Sequence, residues 1–380
     1  MSWIALKMLF GDRAKYAGLI FGVAFSALLI SQQSAFCVGL INTTPGLLYD
    51  IREPDLWVMD ARVNTIDGGA SLPDTALARV HGVPGIAWAA PLFKGVVTLI
   101  GQDQSQQTAS LIGVDDSTLL GLPRERLLGS ADDLRRSGAI FIDEAGYRLL
   151  WPGEPLRIGR VLELNDRRAV LVGVLRSSPQ FTSSIAIFTQ YRNAVQFAPG
   201  GRNRLSFLLA RTRSGSDVRA VAASVSQRTG LKALTHDEFI RSTIDFFIRT
   251  TPIPASFGFV VVLGVIVGAV IIGLTFSLFI RDHLPQFAAM KAIGVSNATI
   301  IGMVLLQGLL VGFIGYAFGV GLTAFTLDLG RQYIPDFRSF FLPWPIVIGT
   351  AVIEIFMVIT AGFIALRRVL VADPAMVFRT

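Results

Sequence analysis

Few side chains in this 380-residue sequence are spaced for chemistry. His81, His236 and His283 lie far apart and form no HExxH or similar metal-binding spacing. Cys37 is the sole cysteine, so neither an intramolecular disulfide nor a cysteine-based metal site is available. No GxSxG nucleophile turn occurs. No GxxxxGK[ST] occurs either, and there is no Gly-Lys dipeptide. The chain therefore has no P-loop, and if ATP drives the system another polypeptide must bind it. The pairs Asp115–Asp116 and Asp132–Asp133 could suggest metal or acid–base work. Adjacent residues on a strand point to opposite faces, and both pairs sit near turn signals, so they read as solvated loop charge. Glu354 stands apart, because it is an ionisable group in the middle of a long apolar run. A charge there is costly, so the residue either fixes helix packing, with Gln307 as its partner, or touches substrate or a proton.

The surrounding composition explains why Glu354 is conspicuous. The sequence is 52% hydrophobic and 16% charged, against about 25% charged in ordinary soluble domains. The deficit is gathered into blocks, which indicates a membrane protein. Net charge is +7, but residues 50–249 carry 24 Lys/Arg against 21 Asp/Glu. Basic charge that is spread rather than clustered argues against nucleic acid as a partner. Four apolar stretches are each long enough to cross a bilayer core, which needs about 20 residues. They predict spans at 16–40, 254–280, 298–326 and 340–366. Small residues recur every four positions in these spans, as Gly18-x-x-x-Gly22, Gly264-x-x-x-Gly268 and Gly308-x-x-x-Gly312. That spacing lets helices approach closely where water supplies no drive for association.

Residues 41–237 change character and predict an α+β domain between the first two spans. Strand-length apolar runs fall at 54–60, 86–100, 110–115, 138–144, 155–164, 167–178, 184–190 and 204–212. Helical signals fall at 72–83 and 216–230, both stopping near a glycine. A stalk helix is expected at 238–253, with Phe239, Ile240, Ile244, Phe247 and Ile248 on one face. The fold class is thus an α-helical membrane protein with four transmembrane helices and a large extracytoplasmic α+β domain.

Orientation follows from basic residues in the short segments. Lys7, Arg13 and Lys15 lie in an amphipathic N-terminal segment at 1–15, and Arg367, Arg368 and Arg379 in a tail at 367–380. Arg281 and Lys291 lie between the second and third spans. The loop at 327–339 is neutral. Both termini are therefore expected in the cytoplasm, with the α+β domain and the 327–339 loop outside. The segment RDHLPQFAAMKAIGVS at 281–296 becomes a cytoplasmic elbow between two spans. A stiff helix running from the stalk through the second span into that elbow would transmit motion.

Four spans, a large domain between the first two, and an elbow holding Lys291-Ala292-Ile293-Gly294 resemble the FtsX/MacB superfamily of ABC-transporter permeases, most of all the DevC type. Gln307, Ala372-Asp373-Pro374-Ala375 and the phrases LIGVD and FIDEAGYRLLW carry the same resemblance. An Arg-Glu pair common at the start of the elbow is missing. The resemblance implies a non-catalytic, homodimeric permease of the bacterial inner membrane. Two copies of a separate ATPase would bind ATP and magnesium beneath it. Arg281, Asp282, His283, Lys291, Ala292 and Gly294 would form the coupling helix at 281–297. A periplasmic adaptor and an outer-membrane channel would complete an export system for a lipid-like or other substrate. The alternative is an FtsX-like regulator that transports nothing and controls an extracytoplasmic hydrolase.

Overall fold

The long apolar stretches form helices, as their length and lack of charge require. The structure is a computed structural model that describes residues 13–101, 106–198 and 205–371. The expected helix at 1–15 and the end of the tail lie mostly outside the described residues. In chain order the elements begin with α1 (Arg13–Thr43), α2 (Gly46–Asp50), β1 (Leu56–Met59), α3 (Thr75–His81), β2 (Ile86–Ile100), β3 (Gln106–Val114) and β4 (Arg126–Leu128). A 3-10 turn (Ala131–Arg135) leads to β5 (Ala139–Asp143), α4 (Glu144–Leu150), β6 (Val161–Leu164), β7 (Arg167–Leu175) and β8 (Ile185–Gln190). Then come α5 (Tyr191–Phe197), β9 (Phe207–Thr212), α6 (Val218–Thr229), β10 (Lys232–Thr235) and α7 (His236–Thr250). The chain closes with α8 (Ile253–Asp282), α9 (Leu284–Ala292), α10 (Asn297–Tyr333), a second 3-10 turn (Pro335–Ser339) and α11 (Trp344–Val371). Helices α1, α8, α10 and α11 are each long and apolar enough to cross a membrane. They form one compact unit, and Leu40–Thr251 with Tyr333–Ser339 forms another.

The α+β unit is a ten-stranded sheet in the order β10-β1-β9-β2-β3-β8-β5-β7-β4, with β6 pairing both β2 and β7. That double pairing closes β2, β3, β8, β5, β7 and β6 into a ring. Leu99, Leu111, Ile142, Leu171 and Ile187 are fully buried in the core associated with it. The open part of the sheet is covered on both faces. Leu56 and Val58 pack with α3 and α6, while Trp57 and Met59 enter a second core. Phe207 and Phe239 stack against Trp57 there, at ring-centroid distances of 5.9 and 5.7 Å. A strand buried on both faces reads as an unbroken apolar run, as β1 does.

Helix α7 starts in a capping box, in which Glu238 N donates to Thr235 Oγ1 and Thr235 N donates to Glu238 Oε2. It does not run on into α8. Thr251 is extended, with φ −100° and ψ 153°, and Pro252 follows. Proline disfavours a helical residue before it, so the expected unbroken rod from stalk to elbow is instead jointed here. The expected strand at 155–164 is also shorter, beginning at Val161. Tyr147 explains this. Its hydroxyl donates to Pro155 O (2.8 Å) and accepts from Arg157 N (2.9 Å), pinning the segment as a loop.

Asp143 caps α4, accepting from Gly146 N (3.2 Å) and Ala186 N (2.8 Å). Burial pushes its carboxyl up to about 7 from an ordinary 3.8, against the pull of those N–H groups and of Arg338. Between those values the folded carboxyl keeps a proton that the unfolded one has lost. This group's contribution to stability therefore falls as pH rises through that window and levels off above it. Asp143→Asn keeps the acceptor oxygen and cannot ionise. Its unfolding temperature, relative to the parent protein, is expected to rise between about pH 4.5 and about pH 7.5. Differential scanning fluorimetry in detergent checks it, and parallel pH curves would refute the account.

Candidate functional site

The elbow is built by its own residues. Helix α8 runs to Asp282 and is closed by His283. The His283 N–H donates to Phe279 O (3.2 Å), and its Nδ1 lies 2.9 Å from the same oxygen. The ring lies against Phe279 at 4.4 Å between centroids, and the residue is buried. His283 was expected among the residues facing a partner. It is buried, and its backbone and ring both serve the end of α8. Pro285 sits in the first turn of α9, where its missing N–H costs nothing. Phe287 is fully buried and shares a core with Phe279, Ile280, Ile300 and Ala365. The elbow is thus rooted in the span bundle by one aromatic side chain.

The far end of α9 is a Schellman turn. Val295 N donates to Met290 O (3.0 Å) and Gly294 N to Lys291 O (3.1 Å). Gly294 has φ +94°, which an L side chain rarely adopts, so its role is to turn the chain. Ser296 then caps α10 by accepting from Thr299 N (3.3 Å). Lys291 is half-buried and engaged by a neighbour, and so is the exposed Asp282. What α9 presents outward is Pro285, Gln286, Ala289 and Ala292, ending in Ile293, which is 81% exposed. Arg281 and Asp282 flank this face. The outward surface is therefore small and apolar rather than basic. Ile293 was legible only as part of a motif; helical spacing from the buried Phe287 would have put it on the open side.

Within the spans, glycines mark the close approaches. A Cβ on Gly22 would fall 2.6 Å from Ile271, on Gly264 3.2 Å from Leu29, and on Gly268 2.4 Å from Ser26 Oγ. One on Gly308 would fall 2.8 Å from Phe276 and one on Gly312 3.3 Å from Val358, while Gly18 has room, with Thr275 at 3.8 Å. The tightest approaches to backbone in the bundle are at Gly315 and Gly319 of α10, where a Cβ would fall 2.9 Å from Ile20 O and 2.4 Å from Ala24 O of α1. Ser31 and Thr323 bridge the same two helices by a 2.7 Å hydrogen bond. Glu354 and Gln307 are both buried, at 2% and 1% exposure. The expected bond between them is not formed, since neither Glu354 oxygen has a hydrogen-bond partner. Gly308 and Gly312, which both follow Gln307 along α10, face Val358, a turn further along α11 than Glu354. Among the described residues no group of three or more His, Cys, Asp or Glu could hold a metal ion. Asp115 accepts from Ser117 and Thr118 in an ordinary turn.

Two family models match this chain: the MacB-like periplasmic core domain over residues 17–228 and the FtsX-like permease C-terminal region over residues 258–374. The macrolide export ATP-binding/permease protein MacB of Agrobacterium fabrum is 25% identical over 67% of this chain. The chain spans only 40% of that protein's length. An uncharacterized ABC transporter permease of Mycobacterium tuberculosis is 24% identical over 95% of this chain and 93% of its own length. The crystal structure of the periplasmic region of MacB from Actinobacillus actinomycetemcomitans aligns at 15% identity, covering 54% of this chain and 98% of that one, with a TM-score of 0.38.

The glycine contacts make a direct prediction. Gly319→Val forces α1 and α10 apart, because the atoms met are backbone and cannot swing aside. The expected loss is about 1–3 kcal/mol, the usual cost of overpacking. Gly18→Val, whose Cβ would meet only Thr275 at ordinary van der Waals distance, should cost far less. Thermal unfolding of both variants in detergent checks the contrast.

Proposed function

The chain belongs to the MacB/FtsX type of ABC-transporter permeases, and we propose that it is the membrane subunit of an export system whose ATPase is a separate chain. The observation that carries the reading is the elbow: a short helix between two spans, rooted by Phe287 and presenting a small apolar face with Ile293 at its end. Two ATPase copies, holding ATP and magnesium, would dock on it from the cytoplasm under a dimer of this chain. The basic residues near α1, α9 and α11 support that orientation, with the α+β domain in the periplasm. Force entering at Ile293 and Ala289 passes through Phe287 into the core shared by α8, α10 and α11. It reaches the outer domain through the Thr251–Pro252 joint rather than along one unbroken rod. The DevC-like expectation adds a periplasmic adaptor, an outer-membrane channel and a lipid-like substrate. The lack of an Arg-Glu pair before Leu284 supports that type.

The test is co-expression with a candidate ATPase. Ala289→Arg and Ile293→Asp change only the outward face. Each is expected to weaken co-purification and the permease-dependent part of ATP hydrolysis at least about ten-fold, equivalent to about 1.4 kcal/mol. Lys291→Glu, altering a half-buried and already engaged side chain, should have a smaller effect on docking. Full coupling in both face variants would sink the docking role. Mass spectrometry of lipids in the purified complex tests the substrate class. A co-purifying hydrolase, with no substrate retained on deletion, would instead favour the FtsX-like regulator.

A further inference from the structure

Three spans meet around one carboxyl group that the coupling role does not use. On α1, Ser26 is fully buried and donates to Gly264 O of α8 (3.3 Å). On α8, Gly268 has no side chain, and a Cβ there would collide with Ser26 and sit 3.5 Å from Met357 of α11. On α11, Glu354 is 2% exposed with its carboxyl within reach of Ser26, but neither of its oxygens is in a well-formed hydrogen bond. Thr350, one turn earlier on α11, is also buried with an unbonded hydroxyl. An ionised carboxylate without donors or a counter-charge is very costly in such surroundings. No described Lys, Arg, His, Asp or Glu side chain bears on it. On α10, Tyr316 is committed to Val347 O, and Asp328 and Arg331 pair with each other. On α8 and α9 the ionisable groups Arg281, Asp282, His283 and Lys291 all belong to the elbow.

We propose that Glu354 is a proton-binding site within the span bundle: it holds a proton while α1, α8 and α11 are packed and releases it to water when they part. The neutral acid is a donor, and Ser26 Oγ, whose own proton points at Gly264 O, is the acceptor beside it. A small rotation joins Glu354, Ser26 and Gly264 into one chain linking three helices. Release breaks the Glu354 O–H bond, leaves the electron pair on the carboxylate, and passes the proton to water. Any movement that separates α1 from α11 is thereby linked to a proton. This holds whether or not α9 docks on an ATPase.

The test uses the full-length protein in nanodiscs. A hydrophobic carbodiimide adds to a protonated, apolar carboxyl and stays attached as an N-acylurea, with no leaving group. Labelling of the parent protein at neutral pH should map by peptide mass spectrometry to Glu354. Infrared difference spectra between the parent protein and Glu354→Gln should show a protonated carbonyl band at neutral pH. The parent protein should also lose thermal stability relative to Glu354→Gln as pH rises above the ordinary carboxylate range, because a group that must release a proton on opening favours opening as pH rises. An ionised carboxylate band at neutral pH overturns the proposal. So does an unlabelled Glu354, and so do parallel stability curves. Labelling and infrared titration of the parent protein decide the question even if the variant does not fold.

Discussion

Spans in hydrocarbon gain nothing from hiding apolar surface against one another, because lipid is as apolar as leucine. What holds this bundle is therefore close contact. The tightest is between α10 and α1, where Gly315 and Gly319 meet Ile20 O and Ala24 O. Dispersion grows steeply as atoms approach, so removing a Cβ at those positions brings in backbone that no larger residue would admit. One turn away, Ser31 and Thr323 satisfy each other across the same seam. Everything else the chain does depends on that seam. An elbow can deliver force only into a bundle that resists it, and a buried carboxyl can be kept dry only by a bundle that stays shut.

The elbow shows the same economy at smaller scale. Two turns flank a nine-residue helix, and each is made by residues with little freedom to be otherwise. His283 closes α8 with its backbone and ring together. Gly294 turns the chain at φ +94° so that α10 can start at Ser296. Between them Phe287 is the anchor and Ile293 the exposed tip.

Much of this was legible in the sequence, and the reasons are local. The four spans follow from length and lack of charge alone. β1 was visible because burial on both faces leaves no polar position to interrupt the run. What escaped depended on distant residues. The loop at 155–160 alternates like a strand, but Tyr147, from α4, and the positive φ of Gly159 hold it otherwise. β4 and β10 are three and four residues long, too short for a period to register. The position of the elbow was plain from its composition, but its outward face was not. Lys291 looked like the contact because it is charged, while packing turns it partly inward and leaves Ile293 outside. The end of the stalk near residue 253 was legible, yet the joint that replaces a continuous rod needed the backbone angles of Thr251.

Helix α8 is where these threads meet. It joins the α+β domain to the elbow in sequence, and it is the least buried of the four spans. Phe259, Val262, Ile266, Val270, Leu274 and Leu278 all lie exposed along it. The buried residues of the same helix, Gly264, Gly268, Ile272, Phe276, Phe279 and Ile280, fall on one stripe. Two of these are glycines, which pack by proximity and leave no side chain to unlock. A helix held on one narrow stripe can slide or tilt with few contacts to break, and its open face meets lipid equally well before and after. At Ser26 that stripe includes the bond to Gly264 O, beside Glu354. A displacement of α8 away from α1 would break this polar contact, which has a definite direction, whereas the surrounding apolar contacts have none and adapt more easily. The polar cluster is therefore the part of the bundle with a definite geometry to lose, and the part whose loss would register a change of state.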